Sequence, residues 1–154
     1  MTVDTTTATI RMLLQDAFVA RLAAIEGVDA QLRGTVNEQG TAPVQVVVYF
    51  VSEDKKLATN MHYAATMTLG VEVQVSASAM SLSDSGNIFK TLDRWVSAVE
   101  QVVHLPDSWG TTPDYTDVLV LGHETLDPQQ ELEGIGMVRV QVSYRHSIEG
   151  PQLP

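Results

Sequence analysis

The alternation of apolar and polar side chains is most sustained between Tyr63 and Ala77. Every odd position from Ala65 to Ala77 is apolar (Ala65, Met67, Leu69, Val71, Val73, Val75, Ala77), while the even positions from Thr66 on carry Thr, Thr, Gly, Glu, Gln and Ser. A period of two predicts a β-strand with one buried face. At about 3.3 Å per residue the strand would run roughly 45 Å, more than twice the usual length. A chain of 154 residues can hardly cover that strand from within. Met67 and Leu69 are therefore expected to pack against a neighbouring subunit, with Gly70 marking a bend.

A period near 3.6 appears twice. Ile10, Leu13, Leu14, Ala17, Phe18, Leu22 and Ile25 predict a helix over 8–26, capped by Thr7 or Thr9 and closed by Gly27. Ile88, Leu92, Trp95, Val96, Val99, Val102 and Val103 predict a second over 85–104, capped by Ser83, Asp84 or Ser85 and stopped by Pro106. Between the first helix and the long strand, residues 28–43 read as a loop and 44–51 as a β-branched strand. Residues 52–62, with Glu53, Asp54, Lys55 and Lys56, read as a long solvated connection closing a hairpin. After the second helix, 117–124 and 138–145 predict a third and a fourth strand, with Asp127, Pro128 and Gly134 in the turn between them.

The expected architecture is α+β in the order α-β-β-α-β-β: a four-stranded, largely antiparallel sheet with two helices packed on one face. Residues 1–154 are expected to form a single domain, with residues 1–7 and 147–154 flexible. No apolar run is long enough to span a membrane and the N-terminus lacks a signal-peptide pattern, so a soluble chain not addressed for secretion is expected.

Charge and chemistry narrow the function classes. Nineteen Asp and Glu against nine Lys and Arg give a net charge of -10, which disfavours gripping nucleic acid or an anionic membrane. There is no cysteine, hence no disulfide, thiol nucleophile or thiolate metal site. His62, His104, His123 and His146 form no metal-ligand spacing. His123 beside Glu124 is the remaining acid–base candidate, yet neighbours in a strand point to opposite faces. Gly134-Ile135-Gly136 enters a strand and reads as turn glycines, and the serines of residues 76–86 lack a nucleophile elbow. No enzyme activity, metal or cofactor is expected. Trp95 belongs to the core stripe of its helix, whereas Trp109, in a Gly and Pro loop near Tyr115, suits either the core or an interface. Arg139 and Arg145, on the polar side of the last strand, could pair with a neighbour's acids.

The order of these segments carries a resemblance. LxxIEGVDAQLRG after an N-terminal helix, then PVQVVVYF, MTLGVEVQVSA, IFKTLDRWVSAVEQVV, DVLVLGHET and MVRVQVSYRH together resemble the tail terminator proteins of long-tailed bacteriophages, the lambda-like U proteins, over about residues 8 to 148. The resemblance rests on the order of elements and on no single functional residue. It implies a homohexameric ring at the tail–neck junction of a virion, assembled in the host cytoplasm. Such a ring caps the tail tube, ends its polymerisation and offers the head-attachment surface. Its partners would be the tail tube protein and a head-neck connector or head-closure protein, with DNA passing an acidic lumen unbound. The interface residues inferred from this chain are Met67, Leu69, Glu53, Asp54, Lys55, Lys56, Trp109, Arg139 and Arg145. A head-side neck or head-closure ring, or a relative of the tail tube protein, is the alternative within virion proteins. A small-molecule binding or enzymatic α+β domain is the alternative of another class, and a pocket lined by His123, Glu124 and Trp109 would favour it.

Overall fold

The computed structural model describes residues 2, 5–35, 41–80, 84–104, 115–126 and 133–147. Helix α1 (Ile10–Ala23) leads into the short strand β1 (Val28–Leu32) and the two long strands β2 (Val44–Thr59) and β3 (His62–Ser76). Helix α2 (Ile88–His104) and strands β4 (Tyr115–Leu126) and β5 (Glu133–Ser147) complete the order. The sheet runs β1-β2-β3-β5-β4 and is mixed: β1 lies parallel to β2, and every other pair is antiparallel.

This corrects the four-stranded sheet and the order α-β-β-α-β-β. The extra strand is β1, inside the stretch read as a loop. It is only five residues long, and it alternates Val28, Ala30 and Leu32 with the polar Asp29 and Gln31, too short a pattern to stand out beside Gly27 and Gly34. Its placement is enforced by Asp29, whose carboxylate accepts the Ala42 N–H at 2.9 Å and the Gln45 amide at 3.3 Å.

Inward rows of the central strands meet the helices. Val44, Val46 and Val48 of β2, the odd residues 65–75 of β3 and Val138, Val140, Val142 and Tyr144 of β5 are buried. Over them lie Ile10, Leu14, Phe18 and Leu22 of α1 and Leu92, Val96, Val99 and Val103 of α2. Each helix contributes one stripe at three- and four-residue spacing, and each fully buried side chain contributes about 1.5–3 kcal/mol. Thr9 caps α1 by accepting the Met12 N–H at 3.2 Å. The first turn of α2 is capped by Asn87, which accepts the Phe89 N–H at 3.0 Å. Asp84, buried a turn earlier, accepts the Thr91 hydroxyl at 2.6 Å and pairs with Arg94 at 2.7 Å.

Gly134 and Gly136 are strand residues beneath α2, not turn glycines. A Cβ at Gly134 would lie 3.3 Å from the Leu92 Cβ, and one at Gly136 would lie 3.1 Å from a Val96 methyl. Their missing side chains let the helix sit close to β5. Gly136→Val is expected to lift α2 from the sheet at a cost of about 1–3 kcal/mol. The check is a lower urea midpoint with an unchanged slope.

Met67 and Leu69 are fully buried within the chain's own core, so the exposed strip expected at these positions is corrected: one subunit covers more of β3 than strand length alone suggested. Nor is Gly70 a bend, because the pairing of β3 with β5 runs through it without a break. Of the ends expected to be flexible, residues 1, 3, 4 and 148–154 lie outside the described residues, and Ser147 closes β5. The turn residues Asp127 and Pro128 lie outside them as well.

Candidate assembly interface

Residues 54–62, from the upper end of β2 through the turn to the first residue of β3, are exposed throughout. They form an arm of antiparallel hairpin that projects beyond the helices. The solvated connection read over residues 52–62 is corrected accordingly. β2 pairs with β3 up to Thr59, opposite His62, so Glu53, Asp54, Lys55 and Lys56 are strand residues. Asn60 and Met61 make the turn, where Met61 N–H donates to the Thr59 hydroxyl at 3.2 Å. Leu57 and Met61, both apolar, are exposed on this arm.

A β-bulge sets which charges face where. The register slips between Phe50 and Ser52, leaving Val51 unpaired and inverting the alternation as far as a further slip between Leu57 and Thr59. Below the bulge even positions point to the helices; above it Glu53 sits opposite Met67 and points inward. Its side chain is only 5% exposed. Three groups compensate the buried carboxylate: the Tyr144 hydroxyl donates a short hydrogen bond to it, the Lys55 ammonium lies at 3.2 Å and the Arg11 guanidinium at 3.9 Å. Arg11 also stands over the Phe50 ring at 6.0 Å. The first turn of α1 is thereby tied to the base of the arm. Glu53 is thus an internal anchor, whereas Asp54 and Lys56 project from the other face.

Burial, then the hydrogen bond to Glu53 and the charge of that carboxylate, raise the Tyr144 pKa well above its ordinary value, so the phenol remains a donor. The folded state holds this proton more tightly than the unfolded chain. The associated stability is therefore present below the unfolded tyrosine value of about 10 and is lost as pH rises above it. Tyr144→Phe is expected to cost about 1–3 kcal/mol at neutral pH, because a buried carboxylate loses a donor. The difference from the parent should shrink above pH of about 10; urea titrations at neutral and alkaline pH read it.

On the opposite face Tyr49 lies flat across Gly70. A Cβ at Gly70 would fall 2.3 Å from the tyrosine ring, which explains the glycine without a bend. The Arg33 guanidinium stacks on this ring at 3.7 Å and reaches Glu72 at 3.5 Å, while the Tyr49 hydroxyl contacts the Met137 sulfur at 2.6 Å. Gly70→Ala is expected to eject Tyr49 and lower stability by about 1–3 kcal/mol, visible as a higher tyrosine exposure to solvent in near-ultraviolet spectra.

Other nominated residues separate. Arg139 pairs with Glu124 of its own chain at 3.2 Å, and Arg145 is exposed on the same face. Trp109 lies outside the described residues. His123 and Glu124 border one shallow pocket with Leu121, Gly122, Met137 and Arg139, but they diverge: His123 meets Glu100 of α2 at 3.0 Å, and Glu124 meets Arg139. Among the described residues no group of three or more His, Asp or Glu side chains is placed to hold a metal, and no helix is long and apolar enough to cross a membrane.

Sequence reasoning missed four exposed apolar residues near the sheet's edges. Phe50 and Val51 of β2 are 41% and 49% exposed, and Leu119 and Leu121 of β4 are 48% and 49% exposed. Leu121 is itself left out of the pairing by a second register slip, between Val120 and Gly122. Continuous apolar runs hide them, because over 46–51 and 118–121 no change from apolar to polar separates the inward row from the outward one.

No family model and no curated protein matches the chain. Among solved structures it is similar to a chain of the "Virion of native gene transfer agent (GTA) particle". The TM-score is 0.53 at 12% identity, over 90% of this chain and 92% of that one. The two chains share a fold, nearly from end to end.

Proposed function

We propose that this chain is a structural, non-catalytic virion protein: a tail terminator that closes into a ring, hexameric by resemblance, on the end of a tail tube. There it stops polymerisation and offers the surface to which the head attaches. The observation that carries the reading is the fold held in common with a virion component over nine-tenths of both chains. The order of sequence elements that resembles tail terminators points the same way. The projecting arm supports it as well, since a free hairpin carrying exposed Leu57 and Met61 is costly to solvate and suits a partner. The acid excess suits a ring through which DNA slides without being held.

The test is a growth assay. Preformed tail tubes are incubated with the purified protein and then offered fresh tube subunits. Growth blocked at one end supports the reading. Unaltered growth, with the protein bound instead to the head-side neck, would assign it to a head-closure ring.

A further inference from the structure

The two edges of the sheet match each other. Among the described residues β4 pairs only with β5, and β1 pairs with β2 only as far as Val48, so no strand of the sheet pairs with the outer side of β2 above it. Register connects the two edges. Phe50 lies opposite Leu69, Leu69 opposite Val140, and Val140 opposite Val120. The two bulges, at Val51 and Leu121, therefore sit at the same height on opposite sides of the sheet. Each brings an exposed apolar pair to that height, Phe50 with Val51 and Leu119 with Leu121. We infer that these are the two halves of one contact, in which β4 of one copy docks edge to edge on the free half of β2 of the next. This rests on the ring reading above and names its joint.

Three observations identify a second copy as the occupant. Rotation about an axis along the strands preserves height, so it brings one apolar pair onto the other without a slide, and repetition of a head-to-tail contact closes a ring. Polarity agrees: β4 is antiparallel to β5, β5 to β3 and β3 to β2, so β4 arrives antiparallel to the neighbour's β2, the pairing that needs no crossover. The β4 edge is also left unblunted. β4 carries Asp117 and Glu124 and no Lys, Arg or Pro, the residues that ordinarily blunt an edge. On the half of β2 above Val48, Lys55 pairs with the inward Glu53, while Asp54 and Lys56 stand on the outer face.

The cysteine-free chain makes the joint testable. Val51→Cys and Leu121→Cys are made singly and together and treated with a short bismaleimide, whose reach tolerates a register step of one residue. The treatment is done on the protein alone at high concentration and on the protein bound to tail tubes. The two positions are separated by β3 and β5, about 14 Å across the sheet, and a link within one chain adds no rung to a ladder of oligomers. The double variant is expected to give a ladder of covalent oligomers in at least one condition, and each single variant is expected to stay monomeric. Covalent dimers from Leu121→Cys alone would mean a two-fold contact between β4 edges and overturn the joint; so would a double variant without a ladder in both conditions. A ladder from protein that leaves tube growth unaltered retains the joint and removes the capping role. Capping without a ladder does the reverse.

Discussion

Met67→Asp is expected to leave the chain unfolded. Met67 has no exposed surface; it lies in the inward row of β3 opposite Glu53 on one side and Val142 on the other. Glu53 already occupies the polar compensation available there, since Tyr144, Lys55 and Arg11 converge on it. A second carboxylate would face both an apolar core and a like charge. An uncompensated buried charge costs several kcal/mol, against a total stability of about 5–15 kcal/mol for a domain. Met67→Leu, which conserves volume, should cost less than about 1.5 kcal/mol. Circular dichroism and denaturant titration of the two variants decide the matter. A Met67→Asp protein that folds cooperatively and merely fails to assemble would return this residue to a subunit interface and contradict the packing described here.

Changes on the arm are expected to have the opposite signature. Leu57 and Lys56 are exposed on the arm, paired only across its own hairpin with Tyr63 and Ala64. Leu57→Asp combined with Lys56→Glu should therefore leave the melting temperature nearly unchanged, because exposed charges contribute little to folding. Binding to the tail tube should fall by about tenfold or more, the equivalent of one apolar side chain no longer buried. Lys55 belongs to a different class despite its adjacency. Its ammonium is 3.2 Å from the Glu53 carboxylate, so Lys55→Glu should lower stability as well as docking. Pelleting with tubes, alongside thermal denaturation, separates the two effects. A large drop in melting temperature for the Leu57 and Lys56 pair would show that the arm packs within the chain.

How much of this was legible in the sequence varies by element and for physical reasons. The two helices and the long strand β3 could be read because each buries one uninterrupted stripe, and burial imposes a period. The ends of β4 and β5 extend further than alternation indicates, since main-chain pairing continues where side chains no longer alternate. β1 escaped notice because only Val28, Ala30 and Leu32 of its five residues are apolar and its position depends on hydrogen bonds that Asp29 accepts from Ala42 and Gln45. The run Glu53, Asp54, Lys55 and Lys56 looks like a loop because charges are normally solvated. Here one bulge at Val51 turns Glu53 into the core, where a tyrosine ninety-one positions away supplies its donor. Gly70 invites a bend until the ring of Tyr49 is seen to fill the place of its side chain. The matched apolar pairs at the sheet edges depend on register across four strands, which no local pattern encodes.

Negative-stain microscopy of the purified protein mixed with tail tubes tests the central claim most directly. The account predicts a ring at one end of each tube and none along its length or at the other end. Rings at both ends, decoration along the walls or tubes left bare would contradict it.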